Sequence, residues 1–110
     1  MKHDFVLFLG FVALAGIAPL SVAADLRGDA NAARSKMSMC TGCHGIADYK
    51  TTFPEVYRVP LLGGQSEKYL VAALNAYKKG ERTHPSMRGI ARGLSDQDIA
   101  DLAAYYAQQK

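Results

Sequence analysis

Cys40-Thr41-Gly42-Cys43-His44 constrains this chain more than any other stretch. Its two thiols are the only ones present, and they stand at i and i+3. On a helical turn that spacing puts both on one side. Two sulfurs on one side, followed at once by an imidazole, suit a flat macrocycle with two vinyl groups along one edge and iron at its centre. The thiols add to the vinyls, and His44 faces the iron from the proximal side. Cys-x-x-Cys-His is the pattern of covalent haem attachment. The chain must therefore fold around an apolar disc tethered at Cys40 and Cys43.

Other uses of the motif fit less well. A thioredoxin-like redox pair needs a strand-to-helix setting, and nothing strand-like precedes Cys40. Structural zinc needs four ligands, usually with a second Cys or His pair nearby, and the remaining histidines, His3 and His84, are distant and unpaired. A disulfide closing so small a loop would constrain almost nothing.

The N-terminus agrees with haem attachment, which follows export. Phe5 to Ile17 is an almost unbroken apolar run, with Lys2 before it and Pro19 after it. Small residues at Ser21-Val22-Ala23-Ala24 offer a cleavage site, so residues 1–24 read as a secretory signal peptide cut after Ala23 or Ala24. The run of about 13 to 16 residues is short for a membrane anchor, which needs roughly 20. The expected product is a periplasmic domain at 25–110, without stable membrane insertion. A single domain of about 86 residues is marginal by buried area alone, and a buried porphyrin would supply the missing apolar volume.

The full chain carries a net charge of +3, and loss of the leader removes one Lys and one Asp, leaving that balance unchanged. The most basic stretch is 67–92, with Lys68, Lys78, Lys79, Arg82, Arg88 and Arg92 against Glu67 and Glu81. It reads either as solvated surface or as a docking face for an acidic redox partner, where charge mainly raises association rates. No aromatic-basic motif points to nucleic acid.

The pattern after the leader is all-α, with three main helices and wrapping loops. The first is expected at Asp29–Met39, with Asp29 as N-cap. Residues 46–64, with Pro54, Pro60, Gly63 and Gly64, read as a loop around the cofactor. The second helix is expected at Ser66–Lys79, capped by Ser66 and ended by Gly80, with Tyr69, Leu70, Ala73, Leu74 and Tyr77 on one apolar face. Residues 80–94 read as a second loop. The last helix opens at Ser95, with Asp98 forming a short-armed capping box. Its apolar face holds Ile99, Leu102, Ala103 and Tyr106.

An electron-carrying iron needs a second strong axial ligand. Met1 leaves with the leader, and Met37 and Met39 belong to the attachment side. Met87 lies far downstream, before the last helix, where a loop can bring it across the other haem face. His84 is the rival. It would give bis-histidine iron and a lower potential, since axial identity is a main lever on a range of about 0.8 V.

Four stretches together resemble class I cytochrome c, in particular its small bacterial mono-haem subgroup. They are Gly28-Asp29, Cys40-Thr41-Gly42-Cys43-His44-Gly45, Pro60-Leu61-Leu62-Gly63-Gly64-Gln65 followed by Tyr69-Leu70, and Met87-Arg88-Gly89-Ile90 running into Leu94-Ser95-Asp96. The resemblance spans about Gly28 to Gln108. It implies a cytochrome c fold around one haem c, with His44 and Met87 as the axial pair. It also implies that the Pro60 carbonyl accepts a hydrogen bond from the His44 ring, fixing its tautomer. Where the first and last helices cross, Ala33 stands in the place of the usual Gly and Tyr105 matches the family aromatic, which implies a slightly wider crossing.

The function this reading implies is one-electron transfer between redox partner proteins by a monomer or weak dimer, with no catalytic residues. Transient partners suit small, charge-steered interfaces. A haem-bearing subunit of a larger oxidoreductase is the main alternative. A haem sensor or peroxidase-like enzyme would need an open sixth position.

Overall fold

The computed structural model of the chain describes residues 26–52 and 55–110. The leader, its cleavage site and Pro54 lie outside the described residues. A 3-10 turn at Ala32–Ser35 leads into helix α1, Ser38–His44. Strands β1, Lys50–Thr51, and β2, Tyr57–Arg58, then form an antiparallel pair in which Lys50 faces Arg58 and Thr51 faces Tyr57. Three helices follow: α2 at Glu67–Lys79, α3 at Pro85–Arg92 and α4 at Asp96–Ala107.

Helix α4 carries most of the core. Ile99, Ala100, Leu102, Ala103, Ala104 and Tyr106 are buried along it, and Ala33, Leu70 and Leu94 meet them from the 3-10 turn, α2 and the α3–α4 junction. Helix α2 packs on both α3 and α4, and the 3-10 turn packs on α4. The start of α4 is fixed by a complete capping box. The Asp98 N–H donates to Ser95 Oγ at 3.1 Å and the Ser95 N–H donates to Asp98 Oδ2 at 2.9 Å. Gly80 ends α2 with φ +87°, the left-handed conformation that favours glycine at this position.

The segment before the 3-10 turn is held against α4 by sterics and by charge. A Cβ on Gly28 would stand 2.1 Å from the Ala100 carbonyl oxygen, so the backbone can lie this close only without a side chain. One residue on, the Asp29 N–H donates to Asp101 Oδ1 at 2.8 Å. Asp101 is 2 % exposed, and Gln97 Nε2 at 2.7 Å and Lys36 Nζ at 3.1 Å complete its partners. A buried carboxylate is tolerated when donors surround it in this way. Lys36 also pairs with Asp98, so one ammonium ties the N-terminal segment to two turns of α4.

Three expectations need correction. The first helix does not run as one element from Asp29 to Met39. Asp29 gives its N–H to Asp101 and accepts from the Asn31 N–H, an Asx turn rather than a helix cap, and the helix restarts at Ser38 and runs through the attachment motif. Residues 80–94 are not all loop, because Pro85 occupies the first turn of α3, where its missing N–H costs nothing. Among the described residues the fold therefore has four α-helices rather than three. Ser66 stands at the N-cap of α2, but its hydroxyl makes no capping bond.

Candidate functional site

One large cleft opens between these elements, with about 1340 Å³ of space including its open mouth. The attachment motif enters it from α1, with Cys40, Cys43 and His44 among its lining residues. Pro60 to Leu62 form one wall. The whole predicted apolar face of α2 lines the cleft, namely Tyr69, Leu70, Ala73, Leu74 and Tyr77. Helix α3 contributes Met87 and Ile90, and α4 contributes Leu102, Ala103 and Tyr106. Three helices thus turn apolar side chains to one shared space.

The polar atoms here are few and placed. His44 Nδ1 lies 2.6 Å from the Pro60 carbonyl oxygen. A carbonyl only accepts, so Nδ1 carries the proton and Nε2 keeps its lone pair for a metal. The two thiols are not joined in a disulfide. Burial pushes the Cys40 thiol up, and the neighbouring Tyr106 hydroxyl partly offsets this.

The predicted site residues separate into groups. Cys40, Cys43, His44, Pro60 and Met87 come together on the cleft. Met87 sits on α3, three residues after His84, which is the N-cap of that helix and also lines the cleft. The His84 ring is tilted against Tyr57, with centroids 5.6 Å apart. Ala33 is fully buried in the core, and Tyr105 packs on the edge of the same cluster without reaching the cleft.

Sequence reasoning missed Arg82 and Tyr106 as site residues. Arg82 lies over the Tyr77 ring at 4.7 Å and donates to the Tyr69 hydroxyl at 3.5 Å, which holds its guanidinium at the cleft. Tyr106 is the aromatic of the Tyr105-Tyr106 pair that faces inward, a position that the helical spacing from Ile99, Leu102 and Ala103 marks.

The residues fit a haem. Apolar walls, two unpaired thiols at i and i+3, an imidazole with one nitrogen committed to a carbonyl, and a thioether together make the donor set for a tethered iron porphyrin. Among the described residues, no group of three or more His, Cys, Asp and Glu side chains could hold a bare metal ion.

Comparison with known proteins agrees. The family model described as "Cytochrome c" matches residues 30–110. Cytochrome c-554(548) of Halomonas halodenitrificans is 44% identical over 86 residues, covering 76% of this chain and 99% of that protein. Cytochrome c4 of Pseudomonas aeruginosa is 45% identical over 87 residues, covering 79% of this chain but 41% of that protein. A protein of Stutzerimonas stutzeri named thiosulfate dehydrogenase electron acceptor is 38% identical over 62% of this chain and 31% of its own length. The crystal structure of reduced recombinant cytochrome c4 from Pseudomonas stutzeri superposes with a TM-score of 0.61 at 38% identity, over 76% of this chain and 46% of that one. The chain thus spans under half of the cytochrome c4 relatives and nearly all of cytochrome c-554(548). Motif, cleft and relatives converge: the chain belongs to the cytochrome c family, class I, with the all-α fold of that family and haem c as its cofactor.

Proposed function

We propose that this protein is a periplasmic mono-haem cytochrome that carries single electrons between protein partners, with His44 and Met87 as axial ligands. The observation that carries the reading is the meeting of His44 and Met87, from α1 and α3, on one apolar cleft that also holds both thiols. When bound, haem c supplies one-electron cycling between ferric and ferrous iron. The chain's own residues do the rest. Cys40 and Cys43 hold the cofactor by thioether links. Pro60 holds the His44 ring in the tautomer that presents Nε2. Met87 would supply the second protein ligand to the iron, leaving no position for substrate. Leu70, Leu74, Ile90 and Leu102 exclude water, and an apolar setting with Met/His ligation favours a raised potential.

The single attachment motif supports the mono-haem state, and the leader-like N-terminus supports export. Surface charge supports steering by an acidic partner. Within the basic stretch, Lys78 is paired with Asp96 at 2.8 Å and Arg82 is turned to the cleft, while Lys68, Lys79 and Arg92 are exposed. Those three are the charges a partner would meet. Electron-transfer encounters of this kind are small and salt-sensitive.

A second reading is an electron-transfer subunit of a larger oxidoreductase, favoured by the relative named as an electron acceptor of thiosulfate dehydrogenase. Protein-film voltammetry tests the first reading, which expects a reversible one-electron wave; an irreversible or absent wave contradicts it. Co-purification with a larger chain from native cells at physiological salt separates the second reading from the first.

A further inference from the structure

Tyr106 is 9 % exposed, and its side chain lines the cofactor cleft from α4. Its hydroxyl is buried, and no hydrogen bond reaches it among the described residues. A buried hydroxyl without a partner costs free energy, so such an atom points to a partner acquired when the protein is loaded. The neighbouring Tyr105 ring packs against it in a T-shaped pair, with centroids 5.1 Å apart and planes at 86°. Cys40 packs against the same cluster and lines the same cleft.

We propose that in the loaded protein the Tyr106 hydroxyl donates a hydrogen bond to the sulfur of Cys40. Tyr106 is then a positioning residue that fixes the first tether and draws electron density from it. The inference rests on the haem c reading above. Attachment decides the direction of the bond. When Cys40 adds across a vinyl group, the sulfur–carbon bond forms, the carbon–carbon π bond is consumed, and the thiol hydrogen moves to the other vinyl carbon. No electrons are gained or lost overall. Before this step a thiol and a phenol can each donate to the other. Afterwards the sulfur has no hydrogen and can only accept, which leaves Tyr106 as the one donor. Burial first, and the Cys40 thiol after it, push the Tyr106 hydroxyl up to about 12. In Tyr106→Phe the ring is kept and the hydroxyl alone is lost.

The sign of that variant's effect is diagnostic. With an acceptor present, Tyr106→Phe lowers the denaturant midpoint of the loaded protein and shifts its midpoint potential downward. With no acceptor, removal of an unsatisfied buried hydroxyl raises the midpoint and leaves the potential unchanged, which overturns the proposal. Resonance Raman gives a readout that packing does not move. The carbon–sulfur stretch shifts between H2O and D2O in the parent protein and not in Tyr106→Phe; no solvent isotope shift in the parent also overturns the proposal. Tyr105→Phe is the control and should leave the potential and the isotope shift as they are; a loss of the shift there would assign the bond to Tyr105 instead. Absence of covalent haem in the parent protein would defeat the parent reading itself, and is distinguished by a negative haemochrome assay before any variant is made.

Discussion

His44 Nδ1 and the Pro60 carbonyl oxygen, 2.6 Å apart, join the attachment helix to the wall of the cleft. The acceptor is a backbone atom, so the contact depends on where the chain passes and not on the proline ring. Replacing the ring should separate the two roles of Pro60. In Pro60→Ala the carbonyl stays, so the potential should stay within error of the parent. Stability should fall by about 0.4–1 kcal/mol, because the unfolded chain gains freedom. Voltammetry and denaturant unfolding of the loaded protein measure the two effects separately. A large potential shift would mean that the carbonyl moves when the ring is lost.

Gly28 makes the tightest steric demand among the described glycines. An alanine there places its Cβ 2.1 Å from the Ala100 carbonyl and 2.8 Å from the Ala104 Cβ, both on α4. Neither can yield without shifting the helix. Gly28→Ala should therefore cost about 1–3 kcal/mol, in the range of overpacked cores. Ala33→Gly, in the core beside the same helix, removes one methyl and adds backbone freedom, and should cost about 1 kcal/mol. Denaturation midpoints at unchanged m-value provide the check.

Acid stability should depend on Asp98. The Lys36 ammonium, then the Ser95 backbone and hydroxyl, hold its carboxyl at about 2, below the ordinary 3.8. A depressed carboxyl stabilises the fold in full above its unfolded value and loses that contribution as pH falls through the folded one. The parent protein should lose this contribution between pH 3.8 and about 2, and Asp98→Asn should show a flatter stability profile across that window. Lys36 is raised above 10.5 by the hydrogen bonds to Asp98 and Asp101, so its contribution is complete below 10.5 and lost only at higher pH. Thermal melts of the loaded protein from pH 2 to 7 follow the acid limb. Equal slopes for parent and Asp98→Asn would refute the pairing.

Part of this fold is legible locally. The attachment motif, the apolar face of α2, the glycine that ends α2 and the Ser95–Asp98 capping box are all set by neighbours within one or two turns. Helix α3 escapes because Pro85 and Gly89 read as breakers. The cue against that reading was present in Met87, Ile90, Ala91 and Leu94, which recur at helical spacing behind a proline permitted in the first turn. The Asp101 cluster depends on segments that meet only after folding. Asp101 and Asp29 stand 72 positions apart, and no local pattern pairs them. The β1–β2 ladder is too short for alternation to register, and its facing Lys50 and Arg58 argue against pairing until Asp48 is seen to bind Arg58.

The central claim is that Met87, carried on α3, is the partner of His44 on the iron. The near-infrared magnetic circular dichroism of the loaded ferric protein tests it most directly. The account predicts the methionine-to-iron charge-transfer band in the parent protein and its loss in Met87→Ala. A bis-histidine band in the parent, or a methionine band that survives Met87→Ala, would contradict it.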